Sequence, residues 1–291
     1  MLRRVVLDRS AEPSPGEQTR PMAVDIAGLA VPRPPEVPAG GGLRERLRAA
    51  GLHLLVCVAV VALVSALVFG AWYPSPMAHL FGVGAIMWIV VGVDVIVGPL
   101  FTLIVYDRRK PRLKWDLATI FVLQLAALAY GVHTLYVGRP AFVVLVKDRF
   151  EVTAPADLRD ADRQAGADNP HATMDPMRPR WVAARQPTEV QEQMRIAFEA
   201  LTQGRDVQHH PKLYVDYASE SAIALERALP IARLRALNPT RLAQIDELVS
   251  RSGLPEARLR YLPLRGPAGD GTVLIDAADA RVVDVARLVP W

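Results

Sequence analysis

Residues Gly51–Tyr73 read GLHLLVCVAVVALVSALVFGAWY, a run of 23 residues without Asp, Glu, Lys or Arg. At about 1.5 Å of rise per residue, a helix of this length spans roughly 34 Å, more than a hydrocarbon core of about 30 Å. Trp72 and Tyr73 end the run, where amphipathic rings are enriched in membrane proteins. Pro74 and Pro76 then stop the helix. The run predicts a transmembrane helix, because it is longer than the apolar part of a cleaved signal peptide, about 7–15 residues.

Two further apolar runs follow the first. Leu80–Tyr106 has 27 residues and one charged member, Asp94, and Leu117–Val137 has 21 residues with Gln124 and His133 as its strongly polar members. Each run is long enough to cross a bilayer as a helix. A purely soluble globular protein is therefore excluded. We predict a membrane region over residues 43–137, with spans at about 51–73, 80–106 and 117–137.

The charge distribution argues against nucleic acid as a partner and predicts the orientation in the bilayer. The chain of 291 residues has a mean hydropathy of +0.18 and a net charge of +4, but residues 138–291 carry 21 basic and 21 acidic side chains. The basic excess lies in Arg44, Arg46 and Arg48 and in the loop 107–116, whereas residues 74–79 hold no Lys or Arg. Short basic flanks remain in the cytoplasm. We therefore expect a cytoplasmic N-terminus and an extracytoplasmic segment after residue 137.

The N-terminal segment, residues 1–42, has a composition unlike the rest of the chain. It is rich in proline and glycine, as in Val31-Pro-Arg-Pro-Pro-Glu-Val-Pro38 followed by Gly40-Gly41-Gly42, and shows no helical periodicity. Such a composition buries too little apolar surface to offset the entropy of ordering. We predict a disordered tail, or alternatively a misassigned start codon with translation beginning nearer Leu43.

The remaining segment, residues 138–291, has the length of one soluble domain. The pattern of apolar and turn-forming residues in it predicts an α+β domain with antiparallel strands. The asparagine and proline at 238 and 239 are typical of a helix start, and Gly204 and Gly253 of helix ends. The predicted elements are a strand over 141–146, a loop over 154–187, helices over 188–202 and 238–252, and a three-stranded meander over 258–264, 272–276 and 281–285.

Asp94 is the most informative single residue in the apolar runs. A carboxylate at the centre of a membrane helix costs about 2.5–3.5 kcal/mol on insertion scales, so such residues usually face a partner or a cavity. Asp94 is expected either to contact another membrane protein or to fix packing within the three-helix bundle. Gly98 and Thr102 share its helix face. Pro99 frees a backbone carbonyl one turn back and kinks the helix beyond Asp94.

Small residues recur every four positions in two of the runs, at Ala62, Ala66 and Gly70 and at Ala127 and Gly131. Such faces allow close approach of helix backbones in lipid. They are expected to pack inside the bundle, and docking of a partner helix on one of them is the alternative.

The charged segment Asp148, Arg149, Phe150 and Glu151 follows the predicted strand at 141–146. It is expected to be a charged turn, with a membrane-proximal docking surface as the alternative. His209 and His210 have no neighbouring Cys or acidic cluster in sequence, so no metal site is predicted. The single cysteine, Cys57, excludes an intramolecular disulfide, and no Walker A, GxSxG or HExxH motif occurs. We expect no catalytic, cofactor-binding or metal-binding residues.

Several short motifs across the three runs resemble a known family. They are Trp72-Tyr-Pro74, Gly92-Val-Asp94, Gly98-Pro-Leu100 with Thr102-Leu103, Lys114-x-Asp116-Leu-Ala118, Gln124-Leu125 with Tyr130-Gly131, and Arg139-Pro140 with Asp148-Arg-Phe-Glu151. In order and spacing, from about Leu43 to Val152, they resemble the type IV pilin accessory proteins (the TfpX/TfpZ group) of proteobacteria. The N-terminal 42 residues depart from that pattern.

This resemblance implies a non-enzymatic inner-membrane protein that supports the stability or assembly of a major type IV pilin, with its C-terminal domain in the periplasm. It supplies no catalytic residues and no cofactor. Two alternatives remain, an extracytoplasmic sensor or signalling subunit and a membrane enzyme acting on pilin or envelope glycan. A sensor needs a cytoplasmic output domain, and the short N-terminal segment offers none. A transferase needs clustered acids or histidines near the membrane, and the sequence has few there.

Overall fold

The computed structural model describes residues 42–291, so the predictions for the N-terminal tail and for an alternative start lie almost wholly outside the described residues. Within residues 42–291, three stretches of helix are long and apolar enough to cross a membrane: Leu43–Trp72, Val83–Val105 and Leu113–Val137. The first begins ahead of the predicted span because the basic turns around Arg44, Arg46 and Arg48 are also helical.

Two of these stretches contain a π-helical turn. The first stretch consists of helix α1, Leu43–Leu67, and the π-helical turn Val68–Trp72. A short helix α2, Met77–Leu80, leads to the middle stretch, which runs through α3 (Val83–Val91), a π-helical turn (Gly92–Val97) and α4 (Gly98–Val105). The last stretch is helix α5, Leu113–Val137. Helices α1 and α5 both pack on the middle stretch.

The described residues after Val137 fold around one eight-stranded sheet. The strand order is β4-β3-β1-β2-β6-β7-β8, and β5 pairs with β6 beside this path. The strands are β1 (Phe142–Val146), β2 (Arg149–Thr153), β3 (Arg180–Ala184), β4 (Tyr214–Asp216), β5 (Leu229–Pro230), β6 (Leu259–Gly266), β7 (Gly269–Asp276) and β8 (Val282–Ala286). The helices of this part are α6 (Asp160–Ala165), α7 (Val190–Gln203), α8 (Ser221–Arg227), α9 (Ile231–Leu237) and α10 (Leu242–Ser252).

The prediction of a sheet with antiparallel strands is wrong in part, because the sheet is mixed. The meander of β6, β7 and β8 is antiparallel as predicted, but β1 pairs with β3 and β2 with β6 in parallel. Parallel neighbours need a long crossover connection, whereas hairpins are encoded in short turns. The segment predicted as a loop, residues 154–187, is the crossover from β2 to β3. It contains α6 and ends in β3 itself.

Both faces of the central strands are buried, which explains the unbroken apolar run in β1. Val143 and Leu145 face one cluster of side chains that includes Phe150 and Leu264. Phe142, Val144 and Val146 face a second cluster that includes Ile196 of helix α7. A third cluster joins α9, α10 and β6 around Leu234, Ile245 and Tyr261.

Asn238 and Pro239 stand at the start of the helical segment, as predicted, but the side chain of Asn238 does not cap it. Helix α10 begins at Leu242, after a 3₁₀ turn. The side-chain amide of Asn238 instead donates to the carbonyls of Leu234 and Val289, at 2.8 and 2.9 Å, and its Oδ1 accepts from the N–H of Val289. The buried asparagine therefore ties the C-terminal segment to α9.

Helix α2 connects the apolar helices to the sheet. Leu80 is fully buried in the cluster that contains Phe150 and Leu264, and its carbonyl accepts from the N–H of Ala268 at 2.8 Å. Gly266 and Gly271 leave room for it, because a Cβ at Gly266 would lie 2.8 Å from the Leu80 Cβ. Ahead of α2, the Tyr73 hydroxyl donates to the carbonyl of Leu135 on helix α5.

Candidate functional site

A polar cluster lies midway along the apolar helices, where the middle stretch forms its π-helical turn. In that turn the carbonyl of Asp94 would be bonded by the N–H of residue 99, five positions on, but residue 99 is proline and has no N–H. The Gln124 side chain on α5 replaces it, donating from Nε2 to the Asp94 carbonyl at 3.2 Å. The carbonyl freed near Pro99, expected from the sequence, is thus satisfied by a second helix.

Gly98 makes this contact possible. A Cβ at Gly98 would lie 1.9 Å from Gln124 Nε2, closer than any side chain permits. The glycine therefore admits the Gln124 side chain against the middle stretch. Gly98, Pro99 and Thr102 are all buried, on the same side of the helix as Asp94.

Helix α1 completes the cluster. His53 Nδ1 lies 2.6 Å from Thr102 Oγ1, and Gln124 Nε2 lies 3.8 Å from the Sγ of Cys57. His53 therefore joins α1 to the middle stretch, and Gln124 joins α5 to both α1 and the middle stretch.

The Asp94 side chain itself remains without a partner in the described part of the chain. The residue is 4% exposed, yet neither carboxyl oxygen is hydrogen-bonded by a described residue, and the same holds for Gln124 Oε1. Asp94 borders a cavity of about 280 Å³ that is walled by α1 and α5 and is otherwise almost wholly apolar. The structure thus places Asp94, Gly98, Pro99 and Thr102 on one buried segment of the middle stretch, with the unpaired Asp94 side chain beside this cavity.

The small-residue faces lie elsewhere. Ala62, Ala66 and Gly70 are exposed, and nothing described lies within 4 Å of a Cβ at Gly70. Ala127 is also exposed, whereas Gly131 is buried and a Cβ there would lie 2.7 Å from Val90 Cγ2. Within residues 42–291, only Gly131 of this set therefore packs closely against another helix.

The charged segment Asp148–Glu151 lies at the far end of the β1–β2 hairpin from the apolar helices. Only Asp148 belongs to the turn, and Arg149–Thr153 form β2, so the expectation of a charged turn holds for one residue. Phe150 is fully buried in the core, and Arg149 Nε pairs with Glu151 at 2.5 Å. Because β1 carries the chain away from α5, this position does not fit a membrane-proximal docking surface.

Helix α7 presents an exposed apolar stripe. Its inward residue is Ile196, which is buried against the sheet. On the outward side Val190, Met194, Phe198 and Leu201 are 66%, 68%, 64% and 87% exposed. Their spacing of four, four and three places them on one face of the helix. The sequence pattern predicted the helix but not this stripe, because apolar residues on both sides of a helix look alike in sequence.

The stripe runs toward the apolar helices. Helix α5 leads directly into β1, so the start of β1 marks the end of the sheet nearest those helices. Helix α7 follows β3, which is parallel to β1, and ends near residues 207–209, which contact β1 and β2. There Thr153, the partner of Phe142 at the start of β1, donates from its hydroxyl to the carbonyl of Gln208. Helix α7 thus returns along the sheet from its far end.

His209 and His210 lie beside α7 in a network of charges. His210 Nδ1 is 3.2 Å from Asp162 and its Nε2 is 3.6 Å from Glu199, and Arg205 pairs with both acids. Burial lowers the pKa of both histidines; Arg205 adds to the effect at His209, while Asp162 and Glu199 oppose it at His210. No group of His, Cys, Asp and Glu within residues 42–291 is arranged to hold a metal ion.

These two pKa shifts predict a pH dependence of stability. The unfolded chain binds protons more readily than the folded chain, so stability is fully present above the ordinary histidine pKa of 6.5 and falls as the pH drops through it. In urea titrations of the detergent-solubilised protein, we expect a lower unfolding midpoint at pH 5.5 than at pH 7.5. The His209→Gln variant should show a smaller fall, and equal falls in variant and wild type would contradict this account.

Known proteins are similar in sequence to most of this chain. The family model described as "Fimbrial assembly protein FimB" matches residues 42–82. Two relatives from Dichelobacter nodosus, named fimbrial assembly protein of serogroup I and of serogroup E1, are 31% and 29% identical over 219 residues, 74% of this chain and 84% of each relative. A third from the same organism, of serogroups C1 and C2, is 35% identical over 111 residues, 37% of this chain and 84% of the relative. No solved structure matches.

Proposed function

This chain belongs to the family of fimbrial assembly proteins, and from that premise we propose that it acts in fimbrial assembly as a non-enzymatic inner-membrane accessory factor. Its client is a type IV fimbrial subunit, the major pilin, whose stability or assembly it supports. The proposed action is binding, and it needs no cofactor.

The proposed arrangement has three parts. The segment before residue 43 faces the cytoplasm, residues 43–137 span the inner membrane three times, and residues 138–291 form a periplasmic domain. The basic flanks around Arg44 and in the loop 107–116 support this orientation by the positive-inside rule.

The observation that carries the proposal is the apolar stripe of α7. Contiguous exposed apolar surface on a folded domain is typical of a protein-binding site. The stripe is held in place by Ile196 on the inner side and by the ion pairs of Glu192 with Lys212 and of Glu199 with Arg195. Because it runs toward the apolar helices, it suits a client anchored in the same membrane, whose chain emerges beside the bundle.

The experiment is complementation of a strain that lacks this chain. We expect that strain to show few surface fimbriae and the wild-type chain to restore them. A Met194→Ser/Phe198→Ser double variant should accumulate normally, because both side chains are exposed, and should restore less than about a third of the fimbriae, counted by electron microscopy.

The matched control removes two exposed apolar side chains elsewhere, in an Ile223→Ser/Leu242→Ser double variant. It should restore fimbriae to the wild-type level. Full restoration by the stripe variant, or normal fimbriation without the chain, would contradict the proposed function.

A further inference from the structure

A groove lies between helices α1 and α5 of the membrane region. Helices α1 and α5 flank the middle stretch, and two adjoining cavities of about 610 and 280 Å³ lie between them. Both cavities are lined by His53 and Val56 of α1 and by Phe121 of α5. The larger one opens at the end of the bundle that holds Arg48 and Arg108, and the smaller one reaches Leu128.

The lining of this groove combines apolar side chains with a few polar ones. Aliphatic and aromatic side chains dominate the smaller cavity and suit lipid-exposed helix surface, and its polar lining residues include His53, Gln124 and the unpaired Asp94. Asp94 is the central residue of the 23-residue helical stretch Val83–Val105, and it therefore lies near the middle of the hydrocarbon when that stretch spans a bilayer.

Two donor groups beside Asp94 are already hydrogen-bonded elsewhere. Gln124 Nε2 bonds the Asp94 backbone carbonyl, and His53 Nδ1 is paired with Thr102. Both carboxyl oxygens of Asp94 thus lack a donor among residues 42–291, and a buried acceptor of this kind is costly until a donor reaches it.

We propose that the groove between α1 and α5 binds one transmembrane helix of a partner protein, and that this helix presents a nitrogen donor, an ammonium or amide group, to Asp94. The apolar walls cover the body of the helix, and the carboxyl group fixes its depth. This inference goes beyond the proposed function, because it assigns a site within the membrane region and holds for any partner with that chemistry.

The test uses the purified full chain in phosphatidylcholine vesicles with two synthetic helical peptides of leucine and alanine. One peptide carries a lysine at its centre and the other is wholly apolar, and binding is measured by energy transfer from a donor dye on the protein. We expect the lysine peptide to bind the wild type about 3- to 30-fold more tightly than the apolar peptide, the range for a polar pair between helices in lipid.

Variants separate the site from general packing. Asp94→Leu should abolish the preference for lysine, Asp94→Asn should keep a weaker one through its amide oxygen, and Leu125→Trp should weaken both peptides by filling the groove. Thr119→Val is the matched control, because that hydroxyl is exposed and bonds its own helix.

A lysine preference that survives in both Asp94 variants, or peptide binding unaffected by Leu125→Trp, would overturn the inference. Self-association of the wild-type chain without peptide that is lost in Asp94→Leu would also overturn it, by making a second copy the occupant. None of these results depends on fimbriae, so they are distinguishable from failure of the proposed function.

Discussion

Replacing Leu80 by aspartate should abolish stable accumulation of the protein. The side chain is fully buried between the apolar helices and the sheet, where it packs with Met77, Phe150 and Val273. A carboxylate there has no described partner, and burying it unpaired costs more than about 3 kcal/mol, a large share of the stability of most domains. The measurement is the membrane level of the chain and its resistance to limited proteolysis.

Two control variants show whether the loss of accumulation comes from the contact of α2 with the sheet. Leu80→Met conserves volume and should cost less than about 1.5 kcal/mol. Ile223→Asp places the same carboxylate on an exposed position of α8 and should leave accumulation unchanged. Normal proteolytic resistance of Leu80→Asp would mean that α2 does not hold the two parts together.

The Gly98→Ala variant should lose the contact between the middle stretch and α5. The added methyl group meets Gln124 Nε2 at 1.9 Å, so the Gln124 side chain must leave the Asp94 carbonyl or the helices must separate. Because the methyl group meets the movable end of the Gln124 side chain, the main cost is the lost hydrogen bond, about 1–3 kcal/mol for a buried carbonyl left without a donor. We expect a lower thermal midpoint in detergent by several degrees.

Gly84→Ala is the control for Gly98→Ala, since nothing described lies within 4 Å of a Cβ at Gly84. In a double-mutant cycle, Gly98→Ala and Gln124→Ala should destabilise the protein by less than the sum of their separate effects, because both remove the same hydrogen bond to the Asp94 carbonyl. If Gly98→Ala were as stable as Gly84→Ala, the account of the polar cluster would be wrong.

The three apolar helices could be predicted because uninterrupted apolar length is a local property of the sequence. The position of Asp94 within the second apolar run and the missing N–H of Pro99 could be read for the same reason. The role of Gln124 could not, because its contact with the Asp94 carbonyl joins residues 30 positions apart on different helices. Periodicity also placed Ala62, Ala66 and Gly70 on one face without showing that this face points outward.

In the sheet, the hairpin pairing of β6, β7 and β8 followed from short turns, and this part of the prediction is confirmed. The parallel pairs of β1 with β3 and of β2 with β6 depend on crossovers that leave no local signal. The stripe of α7 escaped prediction because Ile196 and Phe198 are equally apolar, and only the fold shows which of them faces the sheet.

The central claim, that this chain binds a fimbrial subunit, is tested most directly by photocrosslinking in living cells. A benzoyl-phenylalanine placed at Phe198, in the stripe of α7, should crosslink to the fimbrial subunit on illumination, and the same group at Ile223 should not. Absence of a subunit crosslink from position 198, or equal crosslinking from both positions, would contradict the account.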